Sequence, residues 1–501
     1  MLWLALHFPR LPLEVFRRSI ETPDPAVVSS AGQQPCVMIA APEAVRYGVR
    51  PGMKLSAAYA LLPGLCVLAR SLPLESRTLE SLALWAEQFT PTLSLVPPAA
   101  EPPPSARSHG TAVPSTGALL LEIGGCLKLF GGLEALAMRV RDGLTALGFD
   151  AVLACAPTPT GALMLARNGL EAFVTDQETL AARLYRLPVA GLNADSRTIE
   201  ALSRLGLRTV GEVMQLPRAG LARRFGQSLL DRLDRAFGRL PDPRAPFVPP
   251  RRFSSRLVLP APVHEAEQLL FGMKRLVTEL TGFLAGRQAG VTRMQLEFEH
   301  DDHPATRVRV ELSMPSRDPA HLAMLVREHL GRLTLPRPVE AFSLQAEETL
   351  QLAPREFSFF ATREAATEDR VALVERLRAR LGAQAVHGLA LVPEHRPELA
   401  FTEAEPGTPP RAAPTVLRPL WLLQTPRPLL LDDHGPRLDG RLRMLSGPER
   451  IESGWWDGND VRRDYFVAEN PEGARFWIYR EHAPARSQER NVSWFLHGVF
   501  A

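Results

Sequence analysis

Two short apolar runs end in residues that could do chemistry. Leu2-Trp3-Leu4-Ala5-Leu6 delivers His7, Phe8, Pro9 and Arg10 to its C-terminal edge, and Glu14 is the first carboxylate of the chain. Ala118–Ile123 offers Glu122 alone, between an apolar stretch and Gly124-Gly125. A strand end that presents two or three Asp or Glu side chains can cage divalent cations for phosphoryl transfer. These two present a histidine and a single glutamate. A lone strand-end histidine is more often structural than a ligand, and the paired glycines at 124–125 and 131–132 read first as tight turns. No GxxxxGK[ST], HExxH or GxSxG pattern is present. Cys36, Cys66, Cys126 and Cys155 form no CxxC pair and have apolar neighbours, so reduced buried thiols are expected, with no metal and no cofactor.

A different chemistry lies further on. Leu205-Gly206-Leu207-Arg208-Thr209-Val210-Gly211 has the pattern of a helix-hairpin-helix turn. Its glycines would let backbone N–H groups approach a phosphate at the next helix's N-terminus. A second turn follows at Phe225-Gly226. From Arg186 to Arg256 there are 14 Arg against 6 Asp/Glu, a local net charge of +8 that includes Arg251 and Arg252. Such a surplus points to a nucleic-acid backbone, contacted without base readout. Glu356-Phe357-Ser358-Phe359-Phe360 is an aromatic cluster of the kind that fills a groove on a partner. Five of the seven tryptophans lie beyond residue 420. There, base stacking, a protein interface and a small β core are all compatible with the composition.

The elements around these residues suggest several domains. The chain has 501 residues, is 45% hydrophobic, and carries a formal net charge of +3. Only Lys54, Lys128 and Lys274 are lysines, so nearly all the positive charge is Arg, which suits bidentate contacts to phosphate. Met1 leads directly into a strand, with no basic n-region, and no apolar run is long enough to span a membrane, so a cytoplasmic protein is expected. Strands mixed with amphipathic helices, such as Leu74–Phe89 and Leu133–Leu147, predict an α+β core over 1–168. Short Arg-rich helices fill 169–240, and Pro241–Pro250 reads as a linker. Residues 251–353 read β-α-β-β-α-β. Residues 354–415 read as a linker with one helix, Ala365–Leu381, and 416–501 as strand-rich.

Together these stretches resemble the Y-family (UmuC-like) translesion DNA polymerases, and within them the catalytically silent ImuB branch. Leu4–Glu14 resembles the first palm motif. Glu43-Ala44 with Gly48–Met53 resembles the fingers signature. Leu120–Gly125 with Leu129-Phe130-Gly131 resembles the second palm strand and its turn, and Cys155–Thr160 the strand-to-helix segment. The tail segments Leu417–Leu423, Ile451–Trp456, Arg463–Phe466 and Trp494–Ala501 resemble the branch's C-terminal extension. The resemblance implies palm and fingers over 1–168 (fingers about 26–72), a thumb over 169–240 and a little finger over 251–353. A partner-binding region follows over 416–501.

It also implies systematic departures. The two metal-binding Asp positions of the first motif fall on His7 and Pro9, and the Asp-Glu pair of the later one on Gly117 and Ala118. Positions that grip the triphosphate fall on Pro42, Val45 and Leu163. The function implied is a non-catalytic DNA-binding scaffold of a damage-induced, SOS-type mutagenic translesion complex. Its partners are DNA, a sliding clamp docked at Glu356–Phe360 (with Glu356 and the phenylalanines departing from the usual peptide), an ImuA-type RecA-like accessory protein, and an error-prone C-family polymerase. The alternative is an active translesion polymerase with an atypical metal site built on Glu122 and Glu14.

Overall fold

A computed structural model describes residues 1–19, 26–30, 35–99, 116–192, 194–346, 348–352, 363–409, 418–482 and 493–500. The chain forms two compact units, Met1–Arg380 and Leu381–Ala501. The fold is α+β and multidomain, with palm, fingers, thumb and little finger in the first unit and a C-terminal extension in the second.

The palm is a four-stranded antiparallel sheet in the order Leu93–Val96, Ala118–Glu122, Trp3–His7, Val152–Ala156. The apolar run of the first strand makes sense there. Trp3–His7 is central and buried on both faces, so it needs no alternation of polar residues. Leu2, Leu4 and Leu6 face the helices Leu72–Ala86 and Leu133–Leu147. Trp3 and Ala5 face the helix Pro159–Arg167, whose core continues into the thumb helices between residues 177 and 236. The fingers carry a separate three-stranded sheet, Val37–Ala40, Ala26–Ser29 and Cys66–Ala69, with its own small cores. All four cysteines are free. Contrary to expectation only Cys155 is buried, and Cys66 is exposed.

The little finger follows the expected element order. Strand Phe253–Val263 leads through a short 3₁₀ turn into helix Leu270–Gly286. Then come Ala289–His300, His303–Ser316, helix Pro319–Leu330 and strand Val339–Ala346. Thr349–Gln351 adds one more edge pairing. The helix Arg363–Leu381, read from sequence as part of a linker, docks by its C-terminal half on this domain. Ala379 joins the little-finger core, and Glu375 accepts from the Ser313 N–H and bonds the His321 ring.

The little finger is fastened to the palm. Helix Leu270–Gly286 packs on Leu72–Ala86, and Trp85 is clasped between Gly143 of the palm and Gly282 of the little finger. A Cβ on either glycine would overlap the indole. Beside it, Arg18 donates to Glu279, which also accepts from Ser255. The Arg18 side chain is 3% exposed and that of Glu279 is 0% exposed. The Arg18 guanidinium lies 5.0 Å from the centre of the Phe149 ring.

The second unit is built on a five-stranded antiparallel sheet in the order Trp421–Pro428, Ser493–Val499, Arg475–Glu481, Val461–Glu469, Arg443–Ser453. Tyr465 stacks on Trp477 at 4.1 Å and bonds the His497 ring at 2.8 Å. Part of the aromatic tail is therefore a β core.

Breaking the buried pair with Arg18→Met leaves Glu279 charged and dry, which costs about 3–5 kcal/mol. The double substitution Arg18→Met with Glu279→Leu recovers most of that loss. Denaturant titration of the three proteins measures both.

Candidate functional site

The four positions singled out on the palm strands gather at one end of the sheet. Antiparallel pairing sets His7 opposite Ala118, and Gly117 O accepts the Phe8 N–H at 3.2 Å. Pro9 follows in the turn. His7 is 5% exposed, and its Nε2 is hydrogen-bonded to Thr116 Oγ1 at 2.9 Å. Burial, with the nearby Arg167 charge adding to it, lowers the imidazole to about 4, so it is neutral near pH 7. A side chain at Gly117 would be crowded: a Cβ would stand 3.1 Å from Leu79 and 3.3 Å from Leu11, so both leucines would have to shift. Ala118 is fully buried.

This set does not fit a pair of magnesium ions. Hard divalent cations need oxygen ligands, chiefly carboxylates, and none stands at these four positions. Among the described residues no group of three or more His, Cys, Asp and Glu could hold a metal ion.

Nor do the two alternative carboxylates meet. Glu122 pairs with Trp3, at the opposite end of the strands from His7, about 13 Å along the strand at its usual rise. Its carboxylate accepts the Leu2 and Gly124 N–H groups and so fastens the turn. Glu14 accepts the Asp150 N–H at 3.1 Å, and burial pushes its carboxyl up to about 8. It is largely neutral at pH 7.

The thumb turn departs from its expected role. Gly206 takes φ +80°, as a tight turn requires. However, its neighbours' backbone donors are already used. Gly206 N–H donates to Ser203 O, Leu207 N–H to Leu202 O, and Val210 N–H to Leu187 O. Arg208 N–H donates to the Glu212 carboxylate at 2.6 Å, and Thr209 caps the five-residue helix Val210–Met214. Gly211 lies against Tyr185. The turn formed by Leu205, Gly206, Leu207, Arg208, Thr209 and Gly211 thus packs the thumb through much of its backbone, and its exposed side chains are Leu205 and Arg208. The turn at Gly226, between helices Arg218–Phe225 and Gln227–Ala236, has exposed Arg223 and Arg224 beside it. These two arginines were legible only as part of the charge count.

Arg251 and Arg252 are exposed just before strand Phe253–Val263. On the outward face of the little-finger sheet, the arginines are largely answered within the sheet. Arg256 grips Glu299 with two bonds of 2.6 and 2.7 Å, Arg307 pairs with Glu297 at 3.0 Å, and Arg293 with Glu311 at 3.5 Å. Glu356, Phe357, Ser358, Phe359 and Phe360 lie outside the described residues.

In the second unit a surface feature escaped the sequence reading. Arg396, 3% exposed, binds Asp457 at 2.6 Å and Glu394 at 2.9 Å, and Ser453 completes the set through Glu394. This network holds the turn that displays Trp455 and Trp456, which are 76% and 58% exposed and packed edge to face at 5.3 Å. Two large exposed indoles on a fixed turn have the character of an interface hot spot.

Stability should follow the His7 imidazole. Its pKa is lower folded than the unfolded value near 6.5. Below pH 6.5 the unfolded chain therefore binds the extra proton, and stability falls as pH drops toward 4. Melting temperatures at pH 4.5 and 7.5 should differ less for His7→Asn than for the natural chain. Separately, Gly117→Asp should destabilise by about 2–4 kcal/mol, because it drives a carboxylate into Leu79 and Leu11; denaturant titration reads the loss.

Residues 13–99 match the model of the impB/mucB/samB family. Over 476 residues the chain is 30% identical to protein ImuB of Caulobacter vibrioides, in strain NA1000/CB15N and again in strain CB15, covering 90% of this chain and 100% of the relative. Among solved structures, an insertion ternary complex of Dbh DNA polymerase aligns at 16% identity and TM-score 0.38, over 70% of this chain and 100% of that one. DinB from Sulfolobus solfataricus aligns at 17% identity and TM-score 0.34, over 69% and 98%. With the full length of a 30%-identical relative spanned, the chain belongs to the ImuB family of Y-family-like proteins.

Proposed function

We propose that the chain is a non-catalytic member of its family that holds DNA and recruits the enzymes of mutagenic translesion synthesis. The observation that carries this reading is the palm end. Its strands, register and flanking helices are those of a strand platform. The positions where the family resemblance puts metal carboxylates are His7, Pro9, Gly117 and Ala118. Without anionic ligands, charge on a transferring phosphoryl group goes unneutralised.

DNA contact falls to arginine side chains. Arg208, Arg223 and Arg224 of the thumb and Arg251 and Arg252 at the start of the little finger are exposed. They supply sequence-independent attraction to the phosphate backbone. In the Leu205–Gly211 turn the N–H groups of Gly206, Leu207, Arg208 and Val210 are engaged within the thumb, so the contact there rests on the Arg208 side chain. The clamp is assigned to Glu356–Phe360. The ImuA-type accessory protein and the error-prone C-family polymerase are assigned to the second unit, where Trp455 and Trp456 are the anchors. No helix among the described residues is long and apolar enough to cross a membrane, and a cytoplasmic, DNA-damage-response role is part of the same reading.

Primer extension on damaged and undamaged templates, with magnesium or manganese, tests the central claim. The expected outcome is no incorporation by this chain alone, and robust incorporation overturns it. In the same preparation, the clamp should be retained by the natural chain and lost on substituting Phe357 and Phe360 by Ala. Retention by the variant moves the docking segment elsewhere.

A further inference from the structure

The palm end at which His7, Pro9, Gly117 and Ala118 stand also carries Arg167, for which no ion pair occurs among the described residues. Helix Pro159–Arg167 packs along the same face as Trp3, Ala5 and Ala118. Its first turn borders a 350 Å³ cavity shared with Met1 and Trp3, while its last turn lies toward His7, which feels the Arg167 charge. The helix therefore runs beside the first strand in the same direction and sets Arg167 at the degenerate positions.

Arg167 stands near two further arginines, Arg232 and Arg244. Arg244 is answered by Asp242 at 3.0 Å and by Thr160. Arg232 donates to Leu192 O at 3.5 Å and feels the charge of Asp195. For Arg167 no hydrogen bond or ion pair occurs among the described residues. It is half-buried, and burial together with the two like charges lowers its pKa to about 10. It remains charged at pH 7, in surroundings that favour an added anion. His7, on which the Arg167 charge acts, is neutral there and already bonded to Thr116. Where a two-metal site presents negative charge to cations, this site presents positive charge.

We propose that Arg167 forms a phosphate site at the end of the palm, and that the chain holds a DNA backbone phosphate there directly, with no bridging metal ion. The proposal rests on the DNA-holding reading above. A planar guanidinium suits two phosphate oxygens at once.

The test is fluorescence anisotropy of a labelled primer–template duplex with the full chain, in EDTA, over a series of salt concentrations. Relative to the natural chain, Arg167→Gln should bind several-fold more weakly at low salt, with a log–log salt slope shallower by about 0.9, the value of one phosphate contact. Arg167→Lys should keep the slope. Replacing EDTA by magnesium at constant ionic strength should leave the ratio of the two affinities unchanged. An Arg167→Gln protein with natural affinity and slope overturns the site, as does a magnesium-dependent gain that only the natural chain shows. The triphosphate arm separates the two phosphate sources. If a deoxynucleoside triphosphate competes with duplex on the natural chain and not on Arg167→Gln, the ligand is a free nucleotide and the backbone assignment fails.

Where Arg167→Gln melts early, arginine modification of the natural chain by phenylglyoxal, read by mass spectrometry, decides. Duplex should shield Arg167, and an equal rate with and without duplex overturns the proposal. A natural chain that binds no duplex overturns the scaffold reading itself, a result distinct from binding that ignores Arg167.

Discussion

The buried contact between Arg18 and Glu279 fixes how the first unit can use its surfaces. Two charges removed from water are stabilising only when both are fully paired. Here Ser255 donates the further bond that Glu279 requires and Phe149 lies beneath the guanidinium, while the Arg18 Nε–H is buried without a partner. Arg18 caps the helix that follows the first palm strand. The N-terminal stretch thus does two things: it sets the end of the palm, and eleven residues after His7 it holds the little finger. Trp85, clasped by Gly143 and Gly282, extends the same joint along the helix Leu72–Ala86. The little-finger sheet therefore has a set orientation to the palm, maintained by a dry ion pair and an interlocked indole rather than by the 241–250 linker.

That joint also bears on chemistry. Leu79, which closes the space at Gly117, is on the same helix as Trp85. A carboxylate at 117 would push on the helix that carries the little finger. The packing that fixes the two domains and the packing that fills the palm end are thus one system. His7 fits it as well, since a neutral imidazole with one ring nitrogen satisfied by Thr116 tolerates burial that a charged aspartate would not.

Much of this was legible in the sequence where the signal was local. The unbroken apolar run at Leu2–Leu6 identified a strand buried on both faces, and the β-α-β-β-α-β pattern over 251–353 came from alternating periodicities. His7, Pro9, Gly117 and Ala118 could be singled out because the family resemblance sets them at fixed spacing, and their standing at metal-ligand positions remains part of the proposed reading. What the sequence did not show depends on tertiary contacts. The turn at Leu205–Gly211 has phosphate-binding spacing, but four of its N–H groups are held, by Leu202, Ser203 and Glu212 nearby and by the distant Leu187. Helix Arg363–Leu381 looked like linker because its buried residues, Glu375 and Ala379, are few and one is charged. The turn bearing Trp455 and Trp456 read only as aromatic composition. Its rigidity comes from Arg396, about sixty residues earlier.

Charge counting misleads for the same reason, and this bears on how DNA is held. A basic stretch attracts phosphate only in proportion to the arginines without a carboxylate beside them. On the little-finger sheet, strand register sets Arg307 against Glu297 and Arg293 against Glu311, and Arg256 reaches Glu299. A phosphate that binds there must displace a carboxylate, so the exchange returns little net electrostatic energy. The exposed thumb arginines Arg223 and Arg224 and the unpaired Arg167 face no such exchange among the described residues. On the proposed reading, affinity belongs to the thumb, to Arg251 and Arg252 and to the palm end, while the paired little-finger face would contribute shape and register along the duplex. That division requires the little finger to be held in place from behind, which is what the buried Arg18–Glu279 contact does.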